Sequence, residues 1–315
     1  MRLSDLHSII LLNDYVVLDA IGPDAQSFLQ GQLSCDLESL SGDATFSGYC
    51  AANGRLLATG LVWQEPADTN HFRILVHRSL AEALHKRLSM FVLRSKVQLQ
   101  LSNHRVYGAY ETNPDERVAQ RYHVTTADHA TWIQAPSAAQ QPNRWWLISD
   151  AAPENALDDA LKADSWDAQT LMEGIPHIRV ETQDTFIPQT LNLELIGAVS
   201  FTKGCFPGQE VVARSHYRGT IRRRSALFSI TTEQLGDTPL VVGADLFSAS
   251  GDDSAIGRII NFAKHQDTYW ILAEVMLADL EQISYRLSPS DSVSLTQQAL
   301  PYDIFEQREN IRIKL

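Results

Sequence analysis

The chain has 315 residues, 44% hydrophobic and 20% charged, with 38 acidic against 26 basic groups and a formal charge of −12. That composition excludes a disordered or low-complexity chain, and the acidic excess argues against broad, sequence-independent binding to nucleic acid. The length predicts two or three units rather than one core.

The opening segment, MRLSDLHSIILLNDYVVLDA, has only a short apolar run, is interrupted by Asp5 and Asp14, and lacks a small-residue cleavage site. No secretory leader is expected. No apolar run reaches the ~18 residues of a membrane span, so a cytoplasmic protein without membrane partners is expected. The cysteines are Cys35, Cys50 and Cys205, widely spaced and without a C-x-x-C pair. They supply neither a disulfide framework nor a self-sufficient zinc or iron–sulfur site.

YVVLDA (15–20) reads as a strand, and Gly22, Pro23 and Asp24 open a helix that continues through DAQSFLQGQL. FSGYCAA and RLLATGLVW flank Asn53 and Gly54, the pattern of a two-residue hairpin turn with both φ angles positive. HFRILVH (71–77) is a predicted strand, and Ser79 a predicted cap of the helix that follows. That helix places Leu80, Leu84, Leu88, Phe91 and Val92 on one face. KVQLQL (96–101) closes a β-α-β-β-β-α-β unit.

Further on, 114–144 is polar and turn-rich, WWLISD (145–150) reads as a strand, and ENALDDALKA (154–163) and TLMEGI (170–175) as helical. After Gly219 the runs ALFSIT, PLVVG, AIGRIINFA, TYWILAEVM and SVSLT are short, β-prone and spaced as in a small antiparallel barrel. The fold class is therefore α+β. The expected units are residues 1–110, 111–220 and 221–315.

The densest chemical signal is KGCFPGQE, residues 203–210. In an extended segment Lys203 and Cys205 share a side, and a nearby ammonium favours the reactive thiolate. Gly204 and Gly208 permit close backbone approach, while Gln209 and Glu210 add hydrogen-bonding groups. The alternative is a small, inert, buried thiol; for Cys35 and Cys50, which have no cationic neighbour in sequence, that is the expected role.

The block from LMEGIPHIRVE through KGCFPGQEVVARSHYRG resembles the YgfZ-type folate-binding proteins, relatives of the glycine-cleavage T-protein, whose hallmark K-G-C-[FY]-x-G-Q-E is matched at every position of 203–210. GPDAQSFLQGQLSCDL and YCAANGRLL also resemble that family's N-terminal region. The resemblance implies a three-part aminomethyltransferase-like fold: two α+β domains and a C-terminal antiparallel β-barrel around a central folate channel. It implies tetrahydrofolate as cofactor and a role in assembling or repairing iron–sulfur client proteins. Those clients include radical enzymes that thiomethylate transfer RNA, and Cys205 is the required residue. A monomer without stably bound nucleic acid is expected.

Two departures argue against aminomethyl transfer. Ala58 and Thr59 stand where the T-protein carries acidic residues, and Pro188, Gln189 and Thr190 replace its P-x-E. Neutral groups hold a pterin's amino edge less strongly than a carboxylate. Gln189 and Asn192 remain candidate folate ligands, with turn or cap chemistry as the alternative. The basic run Arg214, His216, Arg218, Arg222, Arg223 and Arg224 suits a glutamate tail or a phosphate, with Tyr217 as a stacking surface for RNA. Otherwise the triplet from Arg222 to Arg224 is a solvated strand. Arg214 closes the signature and Trp63 is a candidate pterin wall. A folate-dependent one-carbon transferase and a non-catalytic folate sensor are the alternative functions.

Overall fold

The computed structural model describes residues 6–111, 122–137, 142–217, 219–249, 254–289 and 293–305. The first sheet is antiparallel. It contains β2 (Tyr15–Ile21), β3 (Thr45–Cys50), β4 (Leu56–Gln64), β5 (His71–His77) and β6 (Gln98–Leu101), in the order β3-β4-β5-β2-β6. Helices α1 (Ala25–Gln30) and α2 (Arg78–Ser89) accompany it. The stripe Leu80, Leu84 and Leu88 is buried as its spacing predicts, but α2 ends at Ser89 and leaves Phe91 exposed. Its cap is His77 rather than Ser79: the His77 ring accepts from the Ser79 amide at 3.3 Å.

The β3–β4 turn lies at Asn53 and Gly54, but its geometry differs from the two-residue form. Of these two residues only Gly54 has positive φ (79°), and the Ala51 amide donates to the Arg55 carbonyl at 2.8 Å. A three-residue loop with glycine in the left-handed position meets these bonds, and the Asn53 carboxamide oxygen accepts from the Arg55 amide.

The second sheet gathers β1 (Leu6–Leu11), β7 (Arg105–Glu111), β8 (Val124–Ala127), β9 (Ala130–Ala135), β10 (Arg144–Ser149) and β11 (Ala156–Leu157), in the order β11-β1-β7-β10-β9-β8. The first strand of the chain therefore pairs across to β7 and β11, and a cut at residue 110 does not follow the sheets. Helix α3 (Ala160–Met172) starts later than its sequence suggests. Residues 156–157 pair with β1, and the Asp159 carboxylate caps the amides of Leu161 and Lys162. Gly108 allows the Trp166 indole to lie on the sheet, since a Cβ there would stand 2.5 Å from the ring.

Residues 173–208 form an irregular connection with two short 3₁₀ turns, Val180–Thr182 and Pro188–Leu191. Then follow α4 (Gln209–Tyr217), β12 (Arg223–Thr231), α5 (Thr232–Leu235), β13 (Asp245–Ser248), β14 (Ala255–His265), β15 (Thr268–Met276), β16 (Tyr285–Arg286) and β17 (Thr296–Gln298). The third sheet, β16-β13-β14-β15-β12-β17, is antiparallel and curls into a half-barrel with its own core around Phe228, Ile271 and Tyr285. PLVVG (239–243) is a turn rather than a strand. Among the described residues no helix is long and apolar enough to cross a membrane.

Candidate functional site

The connection 173–208 ties the three parts together through buried polar groups. The Thr59 hydroxyl donates to the Pro176 carbonyl and accepts from the Ile178 amide. His177 and Asn261 of β14 exchange two bonds of 2.8 Å. The Asn192 side chain donates to the Ser225 carbonyl at 2.8 Å, and the Gln189 side chain donates to the Val212 carbonyl in α4. Arg224, only 2% exposed, donates to Glu194 at 2.7 Å and to the Gln189 carbonyl at 3.0 Å. Burial pushes the Glu194 carboxyl above its usual range. Gln189 and Asn192, read as folate ligands, are thus fully buried members of this network. Asn192 takes the left-handed conformation (φ 60°) and its backbone closes the Pro188–Leu191 turn.

The signature segment rests against the first sheet. Gly208 has φ 79°, and a Cβ there would stand 2.4 Å from the Ala51 carbonyl and 2.7 Å from the Gly54 Cα. A Cβ at Gly54 would in turn stand 2.8 Å from the Val211 side chain and 3.4 Å from the Gly208 carbonyl. Two glycines face each other because two backbones meet. Gly204 has open space where a Cβ would go, and it is exposed beside Cys205.

Cys205 is exposed, whereas Cys35 and Cys50 are buried, their thiols pushed up by burial to about 11 and about 12. Lys203 does not act as the expected partner of Cys205. Its ammonium donates to the carbonyls of Gln30, Leu33 and Cys35 at 2.5–2.7 Å, pinning the loop after α1. Burial lowers its pKa. A cation with several carbonyl acceptors at hand satisfies its donors there, and this capture overrides the i, i+2 reading.

Gln209 is half-buried at the start of α4 and Glu210 exposed in its first turn; Arg214 is exposed in the last turn. Trp63 is no ligand wall: it is completely buried within the first sheet, its indole N–H donating to Glu65 at 2.7 Å. Arg222 is exposed, Arg223 half-buried and 3.5 Å from Glu274, and Arg224 buried, so the triplet is not uniformly solvated. Arg218 lies outside the described residues. Tyr217 is exposed and meets Phe201 edge-on, while His216 stacks on Phe201 at 3.8 Å.

A cleft of about 440 Å³ opens where all three parts meet, lined by Asp14, Tyr15, Asp164, Asp167, Arg179 and Phe262 among others. The Tyr15 hydroxyl donates to Asp167 at 2.8 Å, and Arg179 stands 3.9 Å from the same carboxylate. Burial, ahead of the neighbouring Asp14 and Asp164, pushes Asp167 up to about 6. Behind Tyr15, at 5.3 Å between rings, lies His177, whose two ring nitrogens are buried without partners. Sequence reasoning missed this group because its members come from four separate segments. The one local signal was the acidic spacing of Asp164 and Asp167 at i, i+3 on a helix, which puts both on one face. Among the described residues no cluster of three His, Cys, Asp or Glu side chains forms a metal site.

No family model matches the chain. Three mixed or antiparallel sheets joined by one irregular connection give the chain an aminomethyltransferase-like fold. The glycine cleavage system aminomethyltransferase T from Bartonella henselae superposes with a TM-score of 0.69 over 96% of this chain and 87% of that one, at 15% identity. Along its sequence the chain is similar to proteins named YgfZ, the resemblance its signature carries. It is 27% identical over 313 residues to "tRNA-modifying protein YgfZ" of Vibrio vulnificus (strain YJ016), covering 95% of this chain and 94% of that protein. It is 26% identical over 319 residues to the protein of the same name from Escherichia coli O157:H7, with the same coverage.

Proposed function

We propose that this protein is a tetrahydrofolate-binding accessory factor in transfer-RNA modification, acting on iron–sulfur client enzymes through Cys205. The observation that carries the reading is the contrast among the thiols. Cys35 and Cys50 are sealed in the core, while Cys205 stands exposed on a loop fixed in place by Gly208. A thiol must be accessible to meet a client's sulfur or metal. The fold and the names of the relatives support the folate and transfer-RNA parts.

The cleft at the junction fits a folate in size and donor set. Its volume of about 440 Å³ is within the range of small-molecule sites. Asp164 and Asp167 can accept hydrogen bonds from the amino edge of a pterin, Tyr15 and Phe262 offer ring surface, and Arg179 suits a carboxylate tail. Bound tetrahydrofolate would supply one-carbon chemistry. The chain's own contribution is to orient it, with Asp167 able to exchange a proton at about pH 6.

The aminomethyltransferase reading keeps one supporting observation, this carboxyl in the cleft. Against it, Ala58 is buried and Thr59 is engaged with the connection.

The test is rescue of a strain lacking the protein, reading the activity of a thiomethylating iron–sulfur enzyme. Wild type should restore it, and Cys205→Ser at equal abundance should leave less than about a tenth. Equal rescue would remove Cys205 from the function. Steady production of methylenetetrahydrofolate and ammonia from tetrahydrofolate and a small S-aminomethyl donor, with release of the donor's thiol, would favour the transferase instead.

A further inference from the structure

We propose that the end of α2 and the turn after it form a docking surface for an acidic, amphipathic segment of a partner protein. Periodicity places Phe91 and Val92 on the buried stripe of α2, yet the helix stops at Ser89: Val92 stays packed against the core, while Met90, Phe91 and Leu93 turn outward. Met90 is 59% exposed, Phe91 43% and Leu93 86%. Backbone bonds hold this turn closed: Phe91 N–H to Leu88 O at 2.9 Å and Ser95 N–H to Val92 O at 2.7 Å. The apolar side chains are therefore presented on a defined turn.

Leu93 sits at φ 45°, a conformation that a bulky L-residue adopts at a cost. An exposed leucine in that conformation gains nothing from packing within its own chain. Met90, at the start of the same turn, also edges a groove of about 230 Å³ lined by Tyr49, Leu57, Leu84 and Arg87.

Charge selects the occupant. Residues 86–96, KRLSMFVLRSK, contain Lys86, Arg87, Arg94 and Lys96 and no carboxylate, in a chain whose net charge is −12. A partner that covers this patch must offer apolar side chains for Met90, Phe91 and Leu93 and carboxylates for the exposed Lys86, Arg94 and Lys96, Arg87 being half-buried against Tyr49. An amphipathic acidic helix does both. RNA offers phosphates but little apolar surface for Met90 and Leu93, and the overall negative charge opposes its approach.

The experiment uses the full chain and a fluorescent acidic amphipathic peptide of about 18 residues, apolar at i, i+3, i+4 and i+7. Anisotropy should show saturable binding that weakens as salt rises. Leu93→Gly suits the positive φ and preserves the fold, and it should weaken binding about tenfold or more. Arg94→Glu combined with Lys96→Glu should abolish binding, and a lysine-for-glutamate peptide should not bind. Unchanged affinity in these variants, no binding of the acidic peptide, or tighter binding of a single-stranded RNA would overturn the proposal. So would concentration-dependent self-association that Leu93→Gly removes, because the occupant would then be a second copy.

Discussion

Asp167 carries a conflict between burial and charge. Its carboxyl is lifted from 3.8 to about 6, by burial first and then by Asp14 and Asp164, while Tyr15 and Arg179 only partly oppose the shift. A raised carboxyl favours the native state below about pH 4, and that contribution is lost as the pH climbs through about 6. Two pKa units correspond to about 3 kcal/mol, which partial exposure of the side chain reduces. Asp167→Asn keeps an acceptor for the Tyr15 hydroxyl and removes the charge. It should stabilise the protein by about 1–2 kcal/mol at pH 8 and change little at pH 4.5, as read by urea midpoints. The same variant should bind tetrahydrofolate more weakly. A gain in stability together with a loss of affinity is the signature of a residue kept for a ligand; unchanged affinity would move the folate site elsewhere.

At the scale of elements, the signature loop and the β3–β4 turn form one joint. Gly208→Ala places a Cβ against the Ala51 carbonyl and strains a positive φ, so it should destabilise by about 1–3 kcal/mol. Hydrogen exchange should localise the damage to the loop and α4 rather than to β4 and β5. Gly204→Ala meets nothing within 4 Å, so its stability should stay within about 0.5 kcal/mol of wild type. If client approach to Cys205 needs that space, Gly204→Ala will lower rescue while leaving the melting temperature alone. The sequence made these glycines legible as points of close approach, because φ and Cβ constraints are local. It did not reveal what approached, because the hairpin lies some 150 positions away in the chain. The hydrogen-bond partners of Lys203 and Gln189 were illegible for the same reason. Their donors are satisfied by carbonyls of distant segments, and no periodicity encodes such partners. Strands β2, β4 and β5, whose burial follows their own composition, were read correctly.

For the molecule as a whole, the connection 173–208 is the element on which the three parts depend, and two buried imidazoles sit beside it. Burial lowers His77 to about 4 and His177 to about 3, so both are neutral in the native state. The unfolded chain binds protons at these groups from about pH 6.5 downward, so their contribution is lost as the pH falls through that range. At pH 5 the two together should lower stability by about 2–4 kcal/mol relative to pH 7, against a gain of about 1 from Asp167. The histidines win, and acid should unfold the protein earlier. His177→Phe preserves a ring between Tyr15 and Phe46 and removes both unpartnered nitrogens, while the backbone bonds to Asn261 stay. Its urea midpoint should be at least equal to wild type at pH 7 and clearly higher at pH 5, with most of the net fall between those pH values gone, because Asp167 offsets much of what His77 alone contributes. An undiminished fall between pH 7 and pH 5 in this variant would place the acid lability outside the junction. In that case His104 and His216, whose imidazoles burial also holds below their usual range, become the groups to replace next.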